Sequence, residues 1–256
     1  MIAFGLIGRP LKHSLSPVIH RCFGAYDYRL LDVSPQEMTL LLSSRQFLGL
    51  NVTIPYKRDV LALCDEIAPT ARAVGSANTL YFRNGALVAE NTDLFGFEYM
   101  LAKGGISLRG KNVAVLGSGG TSLTAQAVCR RQGARAVHVV SRRGPVDYAA
   151  LQAMRGEIEC VVNTTPVGMW PHGDERPVDL AAFPRLCGVV DVIYRPADTQ
   201  LTLQAAALGL PHIGGGWMLA AQGCRAAELF LRRPLPESRI DEAYAALCRA
   251  LQEEKP

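Results

Sequence analysis

Nowhere does this 256-residue chain stay apolar for the roughly 18 residues that a membrane helix needs; charge, Gly or Pro interrupts every stretch first. The seven cysteines (Cys22, Cys64, Cys129, Cys160, Cys187, Cys224, Cys248) are odd in number, scattered, and form no C-x-x-C pair. They read as reduced core thiols of a cytoplasmic protein rather than as a disulfide framework. The five histidines offer no H-x-x-x-H spacing, so no metal site is expected. The arginine pairs at 130–131, 142–143 and 232–233 are dispersed, without a basic run or interleaved aromatics, which argues against nucleic-acid binding. Internal repeats and low-complexity segments are absent. The apolar start, Met1 to Gly8, lacks a basic leader and runs into Arg9 and Pro10, so it reads as a first strand and turn, not a signal peptide.

What is present is an ordinary globular composition. Lys and Arg number 27 against 23 Asp and Glu, a net charge of 27 − 23 = +4, with 49% hydrophobic residues. Disorder, collagen and coiled coil are excluded, and the length fits two domains or one large one. Short apolar segments alternate with helical patterns, the signature of an α/β fold. In the first half, Ile2–Ile7, Tyr28–Leu31, Leu48–Val52 and Leu80–Phe82 read as strands. Pro17–Gly24, Pro35–Ser43 and Tyr56–Cys64 read as helices, with Ser16 and Ser34 placed to cap the first two. A helical stretch over Asp93–Lys103 ends in Gly104 and Gly105. Beyond it, apolar strands at Val113–Leu116, Ala136–Val140, Glu159–Asn163 and Gly188–Tyr194 alternate with helices at Leu123–Gln132 and Thr199–Leu208, and a short segment follows at Pro211–Ile213. Continuous apolar strands joined by helices predict a parallel sheet covered on both faces. Trp217–Leu231 and Arg239–Gln252 form a C-terminal helix pair. Boundaries are expected at residues 1–103, 104–215 and 216–256.

Gly117-Ser118-Gly119-Gly120-Thr121-Ser122 directly follows an apolar strand and opens a helix, the context of a dinucleotide-binding turn. The third fingerprint position is Ser122 in place of Gly. The next strand runs into Ser141-Arg142-Arg143, where an NAD enzyme usually carries a carboxylate for the ribose hydroxyl. Two guanidinium groups there favour NADP through its 2′-phosphate.

Polar residues also interrupt buried-looking structure in the first half. Ser14 and Ser16 place two hydroxyls at spacing two beside a helix start, a natural carboxylate pocket or a plain helix cap. Lys57 falls in the first turn of the expected helix after Asn51-Val52-Thr53-Ile54-Pro55-Tyr56. The dipole there is expected to lower its pKa, making it a proton carrier near neutrality. Asp93 stands where a helix begins, either as an N-cap or as a carboxylate facing Lys57.

Taken in order, these segments resemble the shikimate/quinate dehydrogenase family. The pattern H-S-x-S-P-x-x-H is met by His13, Ser14, Ser16, Pro17 and His20, and N-V-T-x-P-x-K by Asn51, Val52, Thr53, Pro55 and Lys57. Asn78 with Thr79, and Asn91, Thr92, Asp93 and Gly96, meet A-N-T and N-T-D-x-x-G. Asn163, Thr165, Gly168 and Met169 meet N-x-T-x-x-G-M. Asp191, Tyr194, Pro196, Thr199 and Leu201 meet D-x-x-Y-x-P-x-x-T-x-L, and Gly216, Met218, Leu219 and Gln222 meet G-x-M-L-x-x-Q. The matches run from about Gly8 to Gln222.

The resemblance implies an N-terminal α/β substrate domain, a Rossmann-like NADP domain, and C-terminal helices packing back on the first domain. It implies reversible, NADP-dependent reduction of 3-dehydroshikimate to shikimate, a small anionic cyclohexene polyol of chorismate and aromatic amino-acid biosynthesis. Lys57 and Asp93 would be the catalytic pair. Ser14, Ser16 and Tyr194 would hold the carboxylate, and Thr53, Asn78, Asp93 and Gln222 the ring hydroxyls. Gly117, Ser118, Gly119, Gly120, Thr121, Ser141, Arg142, Arg143, Thr164, Met169 and Gly215 would hold NADP. A cytoplasmic monomer or homodimer is expected, with no membrane, metal or nucleic-acid partner.

Arg21 replaces a frequent family asparagine, the segment to Tyr28 is short, Ser76-Ala77 replaces Ala-Val, and Leu94 replaces Gly. Ser141-Arg142-Arg143 replaces the N-R-T of NADP-using members. Quinate or aminoshikimate dehydrogenases of the same family, and a ligand-binding paralogue without turnover, are the alternatives.

Overall fold

The computed structural model describes residues 2–11 and 14–253, and divides into two compact units, residues 1–95 with 220–253 and residues 96–219. Among the described residues no helix is long and apolar enough to cross a membrane.

The first unit begins with β1 (Ile2–Gly8), α1 (Ser16–His20), β2 (Tyr28–Asp32), α2 (Pro35–Ser44) and β3 (Phe47–Val52). It continues through β4 (Glu66–Ile67), α3 (Pro69–Val74), β5 (Thr79–Arg83) and β6 (Ala86–Glu90), and α4 (Asp93–Lys103) leads out of it. Its strand order is β2-β1-β3-β5-β6-β4. Strand β1 pairs in parallel with β2 and β3, whereas β5 runs antiparallel to both β3 and β6. The β5–β6 hairpin turns on Asn84-Gly85, both at positive φ, the geometry that matches strand twist in a two-residue loop. Ile7, Leu42, Leu50, Leu80 and Leu87 form the buried core on one side.

Ser34 caps α2 through a reciprocal box with Glu37, as the Ser-Pro start requires. Two expectations fail in this half. Ser16 is not a cap: α1 already includes it, Leu15 occupies the cap position, and no side chain caps the helix. Tyr56–Cys64 is not an α-helix either. The Lys57 carbonyl accepts from Ala77 N–H at 2.7 Å, so Leu61 N–H bonds to Arg58 instead, and only a 3-10 helix over Asp59–Leu63 forms. The helix dipole expected to act on Lys57 is therefore absent.

The second unit contains β7 (Asn112–Leu116), α5 (Gly120–Arg131), β8 (Ala136–Val140), α6 (Tyr148–Ala153), β9 (Cys160–Asn163), β10 (Gly188–Asp191), α7 (Gln200–Ala207) and β11 (His212–Gly214). The order β11-β10-β9-β7-β8 is parallel throughout, a Rossmann-like sheet. Its apolar strands bury against α-helical cover, as Leu116, Val161, Val189 and Leu201 illustrate.

Helix α8 (Gly216–Leu231) leads back into the first unit, which α9 (Ser238–Glu253) completes. There α9 packs on α1, and Phe230 stacks on Phe4 with ring centroids 4.8 Å apart. The ring of Phe230 also fills the space a side chain on Gly49 would take.

Candidate active site

The sheet register of the first unit explains how separated polar residues meet. Asn51 pairs with Thr79, and Thr79 with Glu90, across β3, β5 and β6. The chain leaving β3, the chain entering β5 and the chain leaving β6 therefore emerge at one sheet edge. These three segments carry Lys57, Asn78 and Asp93.

Lys57 Nζ lies 2.6 Å from Asp93 Oδ2, with the two side chains 21% and 11% exposed. Asn78 Nδ2 donates to the other carboxylate oxygen, Oδ1, at 2.9 Å, and also faces Thr92 Oγ1 at 3.0 Å and Gln222 Oε1 at 3.2 Å. The Asn78 side-chain oxygen accepts from Thr92 N–H at 2.7 Å, which fixes the orientation of the amide. Gln222, on α8, thus joins residues from the start of the chain. Asn91 accepts from Leu94 N–H at 3.3 Å at the start of α4 and donates to the Ser76 carbonyl at 2.9 Å. Asp93 is consequently paired with Lys57, not spent as a cap.

Ser14 Oγ donates to Ser16 Oγ at 3.2 Å, so the two hydroxyls stand together. The Tyr28 phenol donates to Asn51 Oδ1 at 2.8 Å. Asn51 Nδ2 in turn donates to the Asn78 carbonyl at 3.2 Å and to Thr79 Oγ1 at 3.0 Å. This relay ties Tyr28 through Asn51 to the segment that carries Asn78 in the Lys57 cluster. Burial holds the Tyr28 phenol well above its ordinary pKa, keeping it a donor. His20 stacks on Tyr28 at 3.9 Å, meets the Tyr26 hydroxyl at 2.7 Å, and has its pKa lowered to about 3 by burial. It is a neutral packing group. His13 lies outside the described residues. Thr53 donates its N–H to the Ile7 carbonyl at 2.9 Å, and its methyl fills the space that bars a side chain from Gly8.

Sequence reasoning gave no role to Tyr28, Thr79 or Thr92. Thr92 lies inside the N-T-D segment and could have been found there. Tyr28 carries no signal, because only strand pairing brings it to Asn51.

In the second unit, Gly117 has φ +104°, and a Cβ there would come within 2.8 Å of Thr164 Oγ1. Only glycine suits both constraints. Gly119 is the N-cap of α5, no side chain caps that helix, and nothing stands within 4 Å of where side chains on Gly119 or Gly120 would begin. Open backbone and uncapped amides at a helix start fit a pyrophosphate. Ser118 and Thr121 flank these glycines. Ser122 is fully buried and accepts from Gln126 at 3.1 Å, so its small size serves packing.

Ser141 follows β8 directly, and its N–H bonds to the Val146 carbonyl at 3.0 Å; Arg142 and Arg143 beyond it are exposed. No acidic side chain lies between Val140 and Pro145. The residues present therefore fit a dinucleotide with a 2′-phosphate. Thr164 donates its hydroxyl to the Leu116 carbonyl at 2.6 Å, bracing the glycine turn from the adjacent strand.

Asp191, at the end of β10, is fully buried. It accepts from Asn163 Nδ2 at 3.0 Å, Ile193 N–H at 3.1 Å and Thr199 Oγ1 at 2.8 Å. Burial raises its carboxyl to about 6. It fastens the loop carrying Thr164 and Met169 to the loop carrying Tyr194. Met169 is 45% exposed, and Tyr194 is partly buried after β10. Gly215 donates to the Ile193 carbonyl at 2.9 Å, and a Cβ there would collide with the backbone of Val192.

Residues 6–80 match the family model for the shikimate dehydrogenase substrate binding domain. The chain is 33% identical over 279 residues to the shikimate dehydrogenase (NADP(+)) of Symbiobacterium thermophilum, covering 97% of this chain and 94% of that one. The corresponding protein of Oleidesulfovibrio alaskensis is 34% identical over 275 residues, with 96% of each chain covered. Among solved structures, a chorismate mutase/shikimate 5-dehydrogenase fusion protein from Clostridium acetobutylicum superposes with a TM-score of 0.92 at 30% identity, covering 98% of this chain and 99% of that one. Shikimate 5-dehydrogenase from Thermus thermophilus, in complex with NADP(H) and shikimate, superposes at 0.85 with 31% identity, covering 96% and 100%.

Proposed function

The chain belongs to the shikimate dehydrogenase family, and from that premise we propose how its own residues carry out the NADP-dependent, reversible reduction of 3-dehydroshikimate to shikimate in chorismate biosynthesis. The observation that carries the reading is the ion pair of Lys57 with Asp93 at 2.6 Å, held by Asn78 and adjoined by Gln222.

Reduction of a ketone needs a proton for the oxygen as well as a hydride for the carbon. Lys57 Nζ delivers that proton to the carbonyl oxygen and takes it back in the reverse direction. Asp93 keeps the ammonium group in place and accepts from the nascent hydroxyl. Asn78, anchored by Thr92 N–H, fixes the carboxylate, so the pair is oriented before substrate arrives. Thr53, Asn78 and Gln222 bind ring hydroxyls. Ser14 and Ser16 present adjacent hydroxyls to the substrate carboxylate, and Tyr194 is assigned to the substrate as well.

NADP, when bound, supplies or removes the hydride. Its pyrophosphate is assigned to Gly117, Ser118, Gly119, Gly120 and Thr121, and its 2′-phosphate to Ser141, Arg142 and Arg143. Thr164, Met169 and Gly215 complete that site. We assign the protein to the cytoplasm, acting on a small molecule as a monomer or homodimer, with no nucleic-acid partner.

The test is NADP reduction followed by absorbance with shikimate and quinate side by side, and NAD as parallel cofactor. Turnover of shikimate with NADP, well above quinate and NAD, is expected. Turnover of neither acid, with NADP binding intact, refutes the substrate assignment.

A further inference from the structure

Beyond the candidate active site, the second unit holds a pair of cysteines at the N-terminal edge of its sheet. Cys160 opens β9 and is buried; Cys187 immediately precedes β10 and is exposed. Gly188 pairs with Cys160 across the parallel ladder, and Cys187 N–H bonds to the Glu159 carbonyl at 2.8 Å, so Cys187 sits one position off register. Strands about 4.8 Å apart and a step of about 3.3 Å along the chain put the two Cα atoms roughly 6 Å apart, inside the span of about 4.4–6.8 Å that a disulfide bridges. Burial pushes the Cys160 thiol well above its ordinary pKa, and the neighbouring Cys187 thiol raises it further. A side chain on Gly188 would touch Cys160 Sγ at 3.4 Å, so the glycine leaves room on that side.

The surroundings select the reagent. The Cys187 thiol donates to the Glu159 carbonyl at 3.2 Å. The Glu159 carboxylate is itself ringed by Lys111 at 3.6 Å, Arg135 at 2.5 Å and Arg185 at 3.8 Å. Three cations against one carboxylate leave the patch positive beside an exposed thiol, which draws an anionic oxidant.

We propose that Cys160 and Cys187 form a site of reversible oxidation, closed to an intramolecular disulfide by a small anionic disulfide of the glutathione type. The exposed Cys187 thiolate attacks one sulfur of the reagent, breaking its S–S bond and releasing one reduced thiol. Cys160 then attacks Cys187 Sγ, losing its proton as the S–S bond forms, the mixed disulfide breaks, and a second reduced thiol leaves with that proton. Two protein thiols are oxidised, one external disulfide is reduced, and the two protein protons end on the released thiols. The Gly117 turn, Thr164 and Asp191 stand at the opposite, C-terminal ends of β7, β9 and β10, so the bridge leaves that end of the sheet unaltered.

The test incubates the reduced full-length protein with oxidised glutathione, alkylates the remaining thiols, and maps peptides without reductant. Of the seven free thiols, two are expected to be lost, leaving 7 − 2 = 5, with Cys160 and Cys187 recovered in one linked peptide pair. Cys187→Ser, at an exposed position, is expected to abolish the loss, whereas Cys129→Ser leaves it intact. Seven alkylated thiols, a linkage of Cys160 to Cys129, or a mixed disulfide persisting on Cys187 beside a free Cys160 each overturn the proposal.

Discussion

Replacing Lys57 with Ala removes the group proposed to move the proton while leaving its neighbours anchored. Asp93 keeps the donor from Asn78 at 2.9 Å, and Asn78 keeps Thr92 N–H, so the site loses one charged contact rather than its framework. Both members of the pair are less than a third exposed, so the lost contact is worth about 1–3 kcal/mol of stability. For a chain of this length that lowers the melting temperature by roughly 2–10 °C. The catalytic effect is larger. A positioned proton carrier contributes about 10²–10⁴ in rate, roughly 3–5 kcal/mol of barrier. A substrate hydrogen bond to the ammonium group changes KM by only about tenfold. Steady-state assays of shikimate oxidation, with NADP titrations and thermal unfolding on the same preparations, separate these terms. The expected pattern is kcat down by at least about a hundredfold, KM up by no more than about tenfold, and NADP affinity unchanged. A folded variant with kcat within about threefold of the parent removes Lys57 from the chemistry.

Three further outcomes are expected. Arg142→Asp should weaken NADP by about ten- to a hundredfold and NAD far less, read by parallel cofactor titrations, because it removes one charge-assisted contact and adds repulsion; equal losses refute a role in reading the phosphate. Gly117→Ala should cost about 1–3 kcal/mol in unfolding free energy and depress NADP binding, since φ is +104° and the new methyl meets Thr164 Oγ1; unchanged stability and binding would contradict it. Asp191 titrates at about 6 in the folded protein against 3.8 ordinarily. The folded state therefore binds this proton more tightly, and the group's contribution is fully present below pH 4 and lost as pH rises through 6, about 3 kcal/mol in all. Asp191→Asn should flatten stability over that interval relative to the parent, and an identical pH slope would sink the assignment.

The parallel sheet of the second unit was legible because Val113–Leu116 and Ala136–Val140 are continuous apolar runs bounded by glycine turns. Strand β4 has only two residues, too few for any period, and β6 follows a two-residue turn with no β-branched run to mark it. The misread helix at Tyr56–Cys64 has a tertiary cause, the Ala77 amide that takes the Lys57 carbonyl. Motif residues such as Lys57, Asp93 and Asn78 stood out by type, but their meeting depends on the pairing of β3, β5 and β6. The same holds for Tyr28 and Asn51, which sequence separation hides until β2 and β3 align on either side of β1.

The first unit is assembled from two stretches, residues 1–95 and 220–253, with the whole of the second unit between them. On the ribosome this imposes an order of folding. Residues 96–219 all emerge before Ala220 and carry a complete parallel sheet, so they can fold while synthesis continues. The nascent N-terminal stretch must wait, with Phe4 lacking its Phe230 partner and Asn78 lacking Gln222, until more than a hundred further residues have been added. Such long-range closure is slow and leaves the apolar surface of the N-terminal stretch exposed in the interval.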